Sequence, residues 1–72
     1  MKFKVGDIVL SNGMFINKIL SIPKGHYYFT ELAEKRKYWK IHDREVFCSR
    51  EPIECFEDRS VLLSDELKAE LL

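Results

Sequence analysis

The chain has 72 residues, 46% of them hydrophobic, with twelve Lys/Arg against twelve Asp/Glu and a pI near 6.7. Such a chain makes one domain, too apolar for a disordered segment, and its near-neutral pI gives little support for a dedicated nucleic-acid binder. Its apolar runs never exceed three residues, far short of a membrane-spanning helix. The charge is unevenly spread: positions 1–50 hold ten basic against five acidic residues, and positions 51–72 hold two against seven. That split suits halves that complement each other within one fold or across a dimer, or a basic face with an acidic tail. Two cysteines, Cys48 and Cys55, are too few for the disulfide framework of a small secreted domain. The first residues lack the continuous apolar stretch of a signal peptide, so the expected location is cytoplasmic, with both thiols reduced.

Residues 3–10 read as a first strand, in which Phe3 and Val5 alternate with Lys2 and Lys4 and Gly6-Asp7 marks a bend or bulge. Ser11-Asn12-Gly13 is a hairpin signal of the Asn-Gly type. Residues 14–22 read as a second strand, apolar on both faces, and Pro23-Lys24-Gly25 ends it. Residues 26–32 read as a third strand dense in β-formers, Tyr27, Tyr28, Phe29 and Thr30. Residues 31–40 admit two readings. Glu31 and Lys35 stand at helical spacing and Thr30 is a candidate cap, which suits a helix. The apolar stripe of that helix is poorly formed, which favours a charged hairpin tip over 34–37 and a fourth strand over 38–41. Residues 45–48 read as a short strand ended by Ser49-Arg50-Glu51-Pro52, and residues 53–56 alternate weakly, as in a last short strand. Within residues 60–72, Ser64-Asp65-Glu66 supplies a cap and early acidic charge, and Leu63, Leu67 and Leu71 share one helical face.

The opening FKVGDIVLSNG, followed by MFINKILSI, resembles Src-homology-type small barrels, the group that includes Tudor and KOW modules. In that resemblance Gly6-Asp7 precedes the core half of the first strand, and residues 14–22 form the second. The match spans about residues 3–56. Gly13 alone stands for the usual glycine before the second strand, and no KOW consensus follows it. The resemblance implies a binding module for proteins, peptides or nucleic acids rather than an enzyme.

The expected fold is mainly β: a single domain over 1–72, with a small five-stranded barrel-like antiparallel sheet over 3–56 and a C-terminal helical segment over 60–72. His42, Cys48 and Cys55, with His26, lack the short Cys-x-x-Cys knuckle of structural zinc, so neither a metal nor a cofactor is expected. A Cys–His nucleophile pair lacks a glycine-rich elbow, so no enzymatic activity is expected either. The residues that point to a partner are aromatic and basic. Tyr28, Tyr38 and Trp39 offer flat apolar surface, with Tyr27, Tyr28 and Phe29 facing Tyr38 and Trp39 across the hairpin, and Lys35, Arg36 and Lys37 offer positive charge beside them. This set predicts a protein-binding module, an adaptor or a small inhibitor or modulator of a larger protein, of the kind that phages and mobile elements encode. Two alternatives use overlapping features. Residues 35–40 interleave cations and rings as single-stranded nucleic acid requires, and the Leu67/Leu71 helix could join two copies as a structural homodimer.

Overall fold

The computed structural model describes residues 1–43 and 48–71. The elements in chain order are β1 (Ile8–Ser11), β2 (Phe15–Ser21), β3 (His26–Lys35), β4 (Trp39–Ile41), β5 (Cys48–Pro52), α1 (Ile53–Arg59), β6 (Ser60–Leu62) and α2 (Asp65–Leu71). All strand pairs are antiparallel, in the order β4-β3-β2-β1-β6, with β5 also on β3. The molecule is therefore mainly β with a short C-terminal helix.

Strands β4 and β5 lie end to end along one edge of β3. Positions 33–35 of β3 face β4, and positions 26–30 face β5. The six strands thus occupy five places across the sheet. The sheet is not closed into a barrel: among the described residues no strand pair joins β6 to β4 or β5. It is nevertheless curled. A seven-residue helix is about 10 Å long, roughly half of the ~19 Å that four inter-strand gaps span in a flat sheet. Yet α1 alone carries the chain from β5 at one edge to β6 at the other. Two register shifts in the β2–β3 pairing, between Ile16 and Asn17 and between Ile19 and Ser21, accompany that curvature.

The first hairpin forms as its turn residues dictate. Asn12 and Gly13 have φ of 54° and 64°, and the Met14 N–H donates to the Ser11 carbonyl at 3.1 Å. Both central residues of a type I′ turn need positive φ, which Asn and Gly adopt at least cost. The predicted first strand is shorter than expected. A turn over 4–7, closed by the Asp7 N–H on the Lys4 carbonyl at 3.0 Å and with Gly6 at φ 91°, breaks the chain before Ile8.

Each face of the sheet carries its own core. On one face Phe3, Val9, Ile19, Tyr27 and Phe29 pack around Phe56 of α1. The Phe29 and Phe56 rings lie 4.6 Å apart at 37°, and Phe3 meets Phe56 edge-on at 6.1 Å and 87°. On the other face Ile16, Ala33 and Leu63 are buried, and Leu67 and Leu71 of α2 close over them together with Trp39.

Three further sequence expectations are corrected. Residues 53–56 begin a helix, not a strand: Ile53 and Phe56 turn to the core three positions apart while Cys55 is exposed. Glu54 in the first turn and Arg59 in the last complement the helix dipole. Ser49, Arg50, Glu51 and Pro52 form β5 instead of ending a strand, and the strand expected over 45–48 falls, but for Cys48, outside the described residues. Residues 60–62 form an edge strand on β1, so only the later part of 60–72 is helical. Its cap is the expected one: the Leu67 N–H donates to Ser64 Oγ at 3.2 Å.

Candidate protein-binding surface

Residues 31–40 form a hairpin. Lys35 pairs with Trp39, and Arg36, Lys37 and Tyr38 make its tip. Two contacts fix the base. Trp39 is half-buried against the Ile16, Ala33 and Leu63 cluster, and Lys35 Nζ sits 6.0 Å from the centre of its ring. The Lys35 N–H donates to the Met14 carbonyl at 2.7 Å, which places the first hairpin's turn beside the second hairpin's tip. The result is one end of the sheet where Tyr38 (76% exposed) and Met14 (46%) stand among Lys35, Arg36 and Lys37. Arg36 lies 3.7 Å from Glu34, a loose surface pair that leaves the tip net positive.

The structure thus brings five of the six predicted residues together: Lys35, Arg36, Lys37, Tyr38 and Trp39. Tyr28 stands apart. It is 37% exposed on β3 beside Ser21 and Arg50, seven residues from Lys35 and hence roughly 23 Å away along the strand. The facing of Tyr27, Tyr28 and Phe29 against Tyr38 and Trp39 does not occur. The register sets those three residues opposite Glu51, Arg50 and Ser49, and Tyr27 and Phe29 are buried.

Met14 is the member that sequence reasoning missed. Its signal was its place directly after Asn12-Gly13, where a large apolar side chain follows a tight turn. Two more exposed aliphatics, Val61 and Leu62, lie on β6 at the other edge of the sheet.

His42 Nε2 lies 2.7 Å from Glu31 Oε2, in a half-buried pair. Cys48 and Cys55 are free and exposed. Among the described residues no group of three or more His, Cys, Asp and Glu is placed to hold a metal ion. Ser11, Ser60 and Asn17 form a buried polar chain, with Ser11 Oγ 2.7 Å from Ser60 Oγ and Asn17 Nδ2 donating to Ser11 Oγ at 3.0 Å. It fastens edge strand β6 to β1 and β2. No helix among the described residues is long and apolar enough to cross a membrane.

No protein-family model, no curated protein and no solved structure matches this chain.

Proposed function

We propose that this chain is a non-enzymatic protein-binding module, an adaptor or small modulator of a larger cytoplasmic protein, that docks through the end of its sheet. The observation that carries this reading is Tyr38, 76% exposed on a cationic tip whose next residue, Trp39, is half-buried against the core. An aromatic ring held out from a fixed base is a low-entropy anchor for a partner pocket. The surrounding Lys35, Arg36 and Lys37 favour an acidic partner and speed its approach. The opening residues 3–13 resemble those of Src-homology-type barrels, whose members act mostly by binding, while the sheet itself stays open. The leucine face of α2 is used on the chain's own sheet, where Leu67 and Leu71 pack, which argues against that face as a dimer interface.

The test is capture from host lysate with the tagged protein, washed at low and high salt, with and without nuclease, beside the Tyr38→Ala variant. A protein retained through nuclease and high salt by the parent, and lost by Tyr38→Ala, supports the proposal. Recovery of nucleic acid alone, released as salt rises, would transfer the tip to phosphate and base recognition.

A further inference from the structure

The two edges of the sheet are finished differently. On the β6 edge the Asn12 N–H donates to the Arg59 carbonyl at 2.8 Å and the Leu63 N–H donates to the Ile8 carbonyl at 3.0 Å. Positions 59, 61 and 63 therefore face β1, and antiparallel alternation turns the backbone of Ser60 and Leu62 outward. The outward Ser60 carbonyl accepts a hydrogen bond from Lys2 Nζ at 3.2 Å, the kind of charged cover that protects an edge from strand addition.

On the β4 edge the Arg36 N–H donates to the Tyr38 carbonyl at 3.1 Å and the His42 N–H donates to the Leu32 carbonyl at 2.8 Å. Positions 38, 40 and 42 face β3, so the N–H and C=O groups of Trp39 and Ile41 point away from it. Among the described residues no strand pairs with that side of β4. The charge there is net positive, although Glu34 stands opposite Lys40 in the register. Lys35, Arg36, Lys37 and Lys40 line the hairpin, and Glu34 is the single carboxylate between positions 34 and 41. Ile41 is 47% exposed on the Trp39 face, and Lys40 is exposed on the other.

Resting on the protein-binding reading, we infer that β4 takes an extended acidic segment of a partner as an added strand. Main-chain bonds to Trp39 and Ile41 supply the pairing. The alternation of strand faces sets the pattern of that segment: carboxylates on the Lys40 face and apolar residues on the Ile41 face.

The test uses a labelled octapeptide of alternating glutamate and valine, a lysine–valine counterpart, and fluorescence anisotropy with the parent chain, Ile41→Val and Ile41→Pro. Proline at position 41 removes the outward N–H and leaves the bonds facing β3 untouched. The expected result is binding of the acidic peptide at least about tenfold tighter than the basic one, kept by Ile41→Val and weakened about tenfold by Ile41→Pro. Equal binding of both peptides, no binding by the parent, or full affinity in Ile41→Pro overturns the inference. Should Ile41→Pro not melt cooperatively, amide hydrogen exchange on the parent decides. Slowing at Trp39 and Ile41 on saturation with the acidic peptide supports strand addition, and unchanged exchange at both overturns it. None of these outcomes touches the capture of a protein through Tyr38, so the two readings fail separately.

Discussion

The Tyr27 hydroxyl donates to Glu57 Oε2 at 2.5 Å while accepting the Phe3 N–H at 3.2 Å. One buried phenol thereby joins the N-terminal segment, β3 and α1. The Lys2 N–H adds a bond to the same carboxylate oxygen at 2.7 Å. The hydrogen bond from Tyr27, and then that from Lys2, holds the Glu57 carboxyl below its ordinary value of 4.5. Burial, and then the bond to Glu57, raises the Tyr27 phenol above 10.0. The sign follows by linkage. Below pH 4.5 the unfolded chain binds a proton at Glu57 that the folded chain refuses, so stability falls on acidification through the lowered folded value. Above pH 10.0 the unfolded phenol ionises first, so stability falls as pH rises. Urea midpoints measured against pH should show a shallower acid slope for Glu57→Gln than for the parent; parallel slopes would contradict the linkage.

Phe56 is fully buried among Phe3, Tyr27 and Phe29, and it is the residue through which α1 covers its face of the sheet. Truncation of a buried Phe to Ala costs about 3–5 kcal/mol. A chain of this length holds only ~4–11 kcal/mol in total. Phe56→Ala should therefore lose most of its cooperative urea transition at room temperature. A variant within about 1 kcal/mol of the parent would mean that α1 is not part of the core.

Trp39 and Tyr38 are neighbours with opposite roles. Trp39 packs on Ile16, Ala33 and Leu63, and Tyr38 is 76% exposed. Trp39→Ala should lower stability by about 1–3 kcal/mol, as loss of a half-buried ring does, whereas Tyr38→Ala should stay within about 0.5 kcal/mol. Thermal or urea unfolding of the two variants side by side checks the order, and a reversed order would contradict the packing of Trp39 and the exposure of Tyr38.

Truncation at two points separates the sheet from its cover. A chain ending at position 59 lacks β6 and the buried Leu63, and should fail to fold. A chain ending at position 64 keeps the sheet and loses only Leu67 and Leu71, two half-buried leucines worth roughly 1–1.5 kcal/mol each. It should melt cooperatively at a lower temperature. Equal behaviour of the two truncations would contradict the division of labour between β6 and α2.

Much of the fold could be read from local chemistry. Asn12-Gly13, Pro23-Lys24-Gly25 and the Ser64 cap act within a few residues, and each stands where the sequence places it. For residues 31–40 the missing apolar stripe favours a hairpin over a helix without excluding the helix, and the hairpin is what forms. The errors arose where long-range packing overrides local pattern. The segment from Ile53 to Phe56 alternates weakly in sequence, but a pocket between Tyr27 and Phe29 takes Phe56, and that demands helical spacing. Ser60 is drawn into a strand by its buried hydroxyl contact with Ser11, 49 positions away, which no local signal records. The candidate surface was legible as composition, since cations and rings cluster at 35–39. Its geometry was not. The register separates Tyr28 from the tip, and the Phe15–Glu34 pairing together with the Lys35–Met14 hydrogen bond brings Met14 to it.

The measurement that tests the docking claim most directly is a backbone amide NMR titration of the labelled chain with the captured protein. Shifts should concentrate at Met14 and at positions 35–41, with β6 and α2 unmoved. Shifts confined to Ser60–Leu62 or to Asp65–Leu71, with the Tyr38 tip silent, would contradict it.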